Sequence, residues 1–200
     1  MGSLRWALAG LCLLLAGATA AWGGQDGTWA IDADGIWDVS ANWVGGTSAD
    51  IAGGVDGTAY FTTDISDIRS VKLTSNCVIG NLVFSDGGAL GSAWDIFPQN
   101  DQTLTLATTV GVPTIEARTG AQLLSRLLGT QGFTLTGPSS EAGLWLNCDA
   151  TGLSGTITVD GTELYLTNSK SLGTQTSVDL DGGIVHDRTA NVTFDGLSGT

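Results

Sequence analysis

One local pattern recurs along most of this 200-residue chain. From about residue 59 onward, short runs of alternating polar and apolar residues are followed by Gly, Asp or Asn, again and again. Alternation with a period of two, rich in β-branched residues, is the signal of a half-buried β-strand. The denser run Val78–Phe84 indicates a central strand. The alternating runs are Ser70–Leu73, Gln102–Leu106, Phe133–Thr136, Thr156–Val159, Glu163–Leu166 and Ser177–Leu180.

One segment competes for a helical assignment. Between Ala121 and Leu128, four leucines occur with i, i+4 spacing. The segment would form only about two helical turns, and it lacks a good N-cap residue. We therefore expect strand here too, and an all-β protein.

Composition excludes several function classes. The chain has 7 Lys and Arg against 20 Asp and Glu, for a net charge of −13. Such a surface disfavours sequence-independent binding to nucleic acid and docking on anionic lipid. The single histidine, His186, excludes sites built from two histidines of this chain. No nucleophile elbow, phosphate-binding loop, dinucleotide fingerprint or zinc CxxC motif is present, so we expect no cofactor.

The first twenty residues have the layout of a secretory signal peptide. Arg5 precedes an apolar stretch from Trp6 to Ala16, and small residues follow up to Ala20. We expect cleavage after Ala20 and a mature chain with 6 basic and 20 acidic residues, a net charge of −14. An uncleaved anchor is the alternative, although the apolar run is shorter than the roughly 20 residues that span a bilayer.

Residues 21–61 form a Gly-, Asp- and Trp-rich head. Trp29, Trp37 and Trp43 are spaced by eight and six residues, with a turn signal at Asp34-Gly35. We interpret the head as a hairpin or short sheet whose tryptophans cover the open end of an apolar core. The alternative is an aromatic platform that stacks on sugars.

A five-residue sequence occurs twice, 44 residues apart. Gly152–Thr156 is repeated as Gly196–Thr200, where the given sequence ends. Repeat arrays need capping units with polar outer faces, and none is visible here. We therefore expect the chain to be a piece of a longer protein.

The repeat resembles the autotransporter-associated β-strand repeat family of large exported bacterial proteins, and the head resembles their usual opening. The resemblance implies a right-handed parallel β-helix that serves as a passenger or surface stalk. The chain departs from the family pattern in having one complete repeat copy and no outer-membrane translocator barrel. The matching segments are Gly152–Val159, Gly161–Leu166, Ser171–Gly173 and Val178–Gly183 in the repeat, and Ala41–Trp43, Asp56–Phe61 and Ile79–Phe84 in the head.

The predicted organisation is a signal peptide at 1–20, a capping segment at 21–61 and β-helix coils at 62–200, continuing beyond this chain. In a β-helix, inward aliphatic residues of successive coils stack into one core, and Gly allows tight corners. An antiparallel β-sandwich is the alternative fold, since the Asp-Gly pairs that begin at residues 34, 56, 86, 160, 181 and 195 could form hairpin turns.

Candidate sites are few. Asp179 and Asp181 share a strand face about 6.5 Å apart, a spacing that an inverting glycosidase could use. Because Val178 and Leu180 would then point inward, we expect both carboxylates to be simply solvated beside a Gly-Gly turn. The triplet His186-Asp187-Arg188 is typical of a surface turn. Asp32, Asp34 and Asp38 resemble part of a calcium loop, and Asx turns explain the same residues. Cys77 and Cys148 could form a disulfide after export or remain buried thiols.

We therefore assign no catalytic, cofactor-binding or metal-ligating residue. The expected function is a non-enzymatic structural or adhesive module, exported through the periplasm to the cell surface or medium. Its expected partners are the translocation machinery, cell-surface glycans or other surface proteins, and a C-terminal barrel or anchor outside this chain. The alternative is a polysaccharide-binding or polysaccharide-degrading β-helix protein.

Overall fold

A computed structural model describes residues 23–87, 92–138, 142–189 and 196–199. The predicted signal peptide lies outside the described residues. About 53% of the chain is strand, and the only helices among the described residues are two 3-10 turns, Ser40–Asn42 and Ser48–Asp50. The strands are β1 Gly27–Thr28, β2 Gly35–Ile36, β3 Gly54–Phe61, β4 Arg69–Leu73, β5 Cys77–Phe84, β6 Ala93–Pro98, β7 Thr103–Leu106, β8 Thr114–Ala117, β9 Gly120–Leu123, β10 Arg126–Gly129, β11 Gly132–Thr136, β12 Gly143–Leu146, β13 Gly152–Leu153, β14 Gly155–Asp160, β15 Glu163–Leu166, β16 Thr176–Asp181, β17 Ile184–Asp187 and β18 Gly196–Gly199.

The strands wind into a parallel β-solenoid of about six turns, as predicted. Face A contains β1, β3, the second half of β5, β8, β11, β14, β16 and β18; face B contains β2, β4, β6, β9, β12, β15 and β17. Face C contains the first half of β5, β7, β10 and β13. The strand β3 begins at Gly54 and pairs with β5, so paired strands already occur within the 21–61 segment.

The alternative of an antiparallel sandwich is wrong. All pairings between the described strands are parallel, and antiparallel contacts occur only as three isolated bridges. Among the described residues, no Asp-Gly pair joins two antiparallel strands. Asp160-Gly161, for example, ends β14 at a corner of the solenoid, where Gly161 has φ of +64°. That left-handed conformation favours glycine.

Successive coils place equivalent residues in register. On face A, Ile115 pairs with Leu135, Leu135 with Val159, and Val159 with Leu180, at separations of 20, 24 and 21 residues. The structural repeat is thus a single coil of about that length. The two copies of the 44-residue sequence repeat are not equivalent, since Leu153 lies on face C and Leu197 lies on face A.

Inward side chains form continuous apolar columns. Five residues of face B follow one another in register and are fully buried: Val71, Ile96, Leu123, Leu146 and Leu166. Alternation produces such a column because i and i+2 residues share a face of each strand.

The segment Ala121–Leu128 is strand, as expected. It contains the end of β9 and the start of β10, with a corner at residues 124–125. Leu123 and Leu127 are both fully buried, one on each side of this corner. Their i, i+4 spacing therefore arises from a turn of the solenoid between two short strands.

Candidate functional site

The head tryptophans form the end of the core. Trp29, Trp37 and Trp43 are 0%, 2% and 1% exposed, and each packs against Phe61 of β3 at ring-centroid distances of 5.5 to 5.9 Å. Phe61 in turn stacks on Phe84 at 5.3 Å. The prediction of an apolar cap is confirmed, and these three rings have no free face for a sugar.

The acidic residues of the head connect the cap to the solenoid. The Asp32 carboxylate accepts a hydrogen bond from Arg69 Nε at 2.6 Å, and Asp34 accepts one from the Ser70 amide at 2.8 Å. Arg69 and the Ser66 amide hold the pKa of Asp32 at about 2, below its usual 3.8. Asp38 accepts hydrogen bonds from the hydroxyls of the two residues after β4, Thr74 at 2.7 Å and Ser75 at 2.9 Å.

The structure gives Asp32, Asp34 and Asp38, the residues that resemble part of a calcium loop, a role in linking the cap to β4 and the residues after it. Each carboxylate has a protein donor as its partner. Within the described ranges, no group of three or more His, Cys, Asp or Glu residues is placed to hold a metal ion.

The acid pair Asp179 and Asp181 lies on β16, with Val178 turned into the core. Asp179 accepts a hydrogen bond from the Ser198 hydroxyl at 2.8 Å, across the gap to β18. Asp181 is exposed at the corner before Gly182. The expected outward orientation of both carboxylates is therefore correct, and Asp179 contributes a contact between coils.

The two cysteines are buried free thiols. Burial raises the pKa of both Cys77 and Cys148 to about 12, so neither is a nucleophile near neutral pH. The disulfide considered from the sequence is not formed.

The most distinctive exterior feature is a stack of three rings on face B, the external stack of Trp145, Tyr165 and His186. The Trp145 and Tyr165 ring centroids are 4.4 Å apart with an interplanar angle of 4°. Those of Tyr165 and His186 are 4.5 Å apart at 8°. The three residues are in register on β12, β15 and β17, so they belong to three successive coils.

Charged groups surround the external stack. The Glu163 carboxylate accepts hydrogen bonds from the Tyr165 hydroxyl and from His186 Nε2, the latter at 3.1 Å. The Arg188 guanidinium lies over the Tyr165 ring, 5.0 Å from its centroid. The Tyr165 hydrogen bond, followed by contact with His186, holds the pKa of Glu163 below its ordinary value, and the same hydrogen bond raises the pKa of Tyr165.

Two glycines make room for these rings. A Cβ atom at Gly143 would lie 3.0 Å from Tyr165 Cε2 and 2.9 Å from the Glu163 carbonyl oxygen. A Cβ atom at Gly120 would lie 3.5 Å from Trp145 Cζ3. Each aromatic side chain therefore leans over a glycine of the preceding coil.

The external stack was not predicted from the sequence, where His186-Asp187-Arg188 was interpreted as a surface turn. In fact His186 and Asp187 belong to β17. The signal is the spacing of 20 and 21 residues between Trp145, Tyr165 and His186, each flanked by apolar residues or the end of a strand. This spacing equals the length of one coil, but only the register between coils shows that the three residues are neighbours on one face.

No family model, curated protein or solved structure matches the chain. The resemblance to the autotransporter-associated repeat family therefore stays a prediction. Across the part of the chain that the structure describes, no helix is both long and apolar enough to cross a membrane.

Proposed function

We propose that the chain is a non-enzymatic, exported structural or adhesive module, the β-helical passenger of a bacterial surface or secreted protein. The observation that carries this proposal is the set of apolar columns that continue through successive coils. At about 4.8 Å per coil, six coils form a body on the order of 30 Å long. Because each coil contacts mainly its neighbours, such a body can be lengthened by adding coils.

The exterior of the solenoid supports a role in display. Outward positions on face A run through Thr114, Thr134, Thr158, Asp179 and Ser198, one per coil. These side chains do not contribute to the apolar columns, so their identity can vary without loss of the core. A surface of this kind can present contact residues for surface glycans or proteins, and the rigid scaffold keeps them in place.

Export is the part of the proposal that can be tested first. Expression of the full chain in a Gram-negative host should give a periplasmic or secreted product whose first residue is Ala21. Ala20→Asp should block this cleavage, because the site requires a small residue, whereas Ala7→Leu, within the apolar stretch, should not. A cytoplasmic product that retains Met1 would contradict export.

A polysaccharide-binding or polysaccharide-degrading function is the second candidate. It is favoured by the outward orientation of Asp179 and Asp181 on one strand face, since the two catalytic carboxylates of a glycosidase must both face the substrate. The external stack adds little support, because its rings cover one another, and sugars stack on open ring faces.

Incubation with a panel of acidic and neutral polysaccharides separates the two candidates. The structural role predicts no sugar release. Release that Asp181→Asn abolishes and Asp160→Asn preserves would contradict it. Absence of both release and retention on every glycan tested would contradict the second candidate.

A further inference from the structure

The apolar column of face B stops at β17. In the five preceding coils the equivalent position holds a buried aliphatic residue, ending with Leu166. In β17 this position is Asp187, which is exposed and accepts hydrogen bonds from the Thr189 amide at 2.8 Å and hydroxyl at 2.9 Å. Val185 is the residue of β17 that packs against the core, and it is only partly buried. The interior therefore contributes less to holding β17 than it does to earlier strands.

Contacts outside the solenoid compensate for this loss. The His186 ring stacks on Tyr165, and its Nε2 lies 3.1 Å from Glu163 Oε2. The Arg188 guanidinium covers the same tyrosine ring. His186 of β17 and Arg188, directly after it, thus hold two side chains of β15. We call this set of four residues the latch.

The latch depends on one carboxylate. Glu163 accepts hydrogen bonds from both Tyr165 and His186, and Arg188 lies close enough to act on its charge. The remaining charged group on β17, Asp187, bonds to Thr189 on its own segment. Trp145, on the other side of Tyr165, is uncharged.

The direction of the pH effect follows from these contacts. The folded-state pKa of Glu163 is lowered, so its contribution to stability is present above its ordinary value of 4.5 and is lost as pH falls through the lowered value. The His186 ring can donate a hydrogen bond through Nε2 to the ionised carboxylate. The hydrogen bonds to Glu163 are therefore present while its carboxylate is ionised and weaken in strong acid.

We propose that β17 is an acid-releasable strand, held on the solenoid by the Glu163–Tyr165–His186–Arg188 latch while Glu163 is ionised and freed when that carboxylate is protonated. Release uncovers the hydrogen-bonding edge of β15 and the buried residues Leu164 and Leu166. An exposed edge and apolar end can pair with another strand. The proposal concerns the pairing of β17 with β15 and does not depend on export or adhesion.

His186 can itself report on the latch. His186 is the only histidine, so its imidazole gives one set of ring-proton signals in an NMR titration. Stacking on Tyr165 shifts these signals upfield through the ring current. Measured against a histidine in an unstructured peptide at the same pH, the signals should lie upfield while Glu163 is ionised and lose that displacement in strong acid.

Near-UV circular dichroism of the tryptophan cap must be recorded over the same titration, because acid can unfold the whole protein. The proposal requires the His186 signals to move while the cap signal persists. Simultaneous loss of both signals would overturn it, as would His186 signals that remain upfield at pH 2 or lie at the unstructured position throughout.

Two matched substitutions assign the transition to the latch. Glu163→Gln keeps a hydrogen-bonding group but removes the charge, and should abolish the acid transition of His186. Glu116→Gln removes a carboxylate that binds Arg118 at 2.5 Å on face A, and should leave the transition unchanged. A wild-type transition in E163Q, or its loss in E116Q, would refute the proposal.

Discussion

Phe61 joins the tryptophan cap to the solenoid, and its removal should cost more than removal of an ordinary core phenylalanine. Its ring contacts those of Trp29, Trp37, Trp43, Phe84 and Trp94, with centroids 5.3 to 5.9 Å apart. Phe→Ala in a core costs about 3 to 5 kcal/mol. Aromatic pairs add about 0.5 to 1.5 kcal/mol each, and the lower value for five pairs gives about 2.5 kcal/mol.

Phe133 supplies the matched control, because it is equally buried and no aromatic ring contact is found for it among the described residues. Urea denaturation, followed by tryptophan fluorescence, should show that Phe61→Ala lowers the free energy of unfolding by about 2.5 kcal/mol more than Phe133→Ala does. Near-UV circular dichroism should lose intensity in Phe61→Ala, since that signal reports on the packed indoles. Equal losses in the two variants would refute the assignment of Phe61 as the junction.

Three further predictions concern the thiols, the cap and the external stack. Cys77 and Cys148 should resist a thiol reagent at pH 8 in the native protein and react after denaturation, because burial raises the pKa of each thiol to about 12. Rapid labelling of the native protein would show that the thiols are accessible. Asp32 has a pKa of about 2 in the folded protein against an ordinary 3.8, so its contribution to thermal stability is present above pH 4 and is lost between pH 4 and pH 2. Asp32→Asn should therefore flatten the profile of melting temperature against pH in that interval. An unchanged profile would contradict the salt bridge between Asp32 and Arg69. Gly143→Ala should lower the free energy of unfolding by about 1 to 3 kcal/mol, because the new Cβ atom would lie close to Tyr165 of the next coil. Gly196→Ala should be nearly neutral in the same urea titration, because a Cβ atom there would have nothing within 4 Å. Equal effects of the two substitutions would argue against the external stack.

The strands and their inward residues could be predicted from the sequence because both depend on local alternation. Thr156–Val159 indicates a strand with Ile157 and Val159 on one face, and the structure buries both. Parallel pairing was less accessible, since the Asp-Gly pairs were compatible with hairpins. The resemblance to a known repeat, more than any local signal, favoured a solenoid.

The register between coils could not be predicted, and the candidate site depends on it. The identical segments at Gly152 and Gly196 suggested a 44-residue unit, but the first begins on face C in β13 and the second on face A in β18. Without the register, Trp145, Tyr165 and His186 are three unrelated positions. The tryptophans of the head were easier to interpret, because large apolar residues near the start of a stack can shield its end.

The partners of the acidic residues were equally out of reach of sequence. Asp32 and Arg69 are 37 residues apart and meet because the cap folds over β4. Local spacing suggested a calcium loop for the same carboxylate. Long-range pairing of this kind is set by the tertiary fold and cannot be recognised from a short stretch of sequence.

The central claim is that each coil adds one step along a single axis. Nitroxide labels on cysteines at Thr58, Thr158 and Ser198 test it, since these outward residues lie on face A, with Thr158 four coils and Ser198 six coils from Thr58. Double electron–electron resonance should give about 19 Å for the 58–158 pair and about 29 Å for the 58–198 pair, at about 4.8 Å per step. Distances that do not increase with coil number would contradict the solenoid.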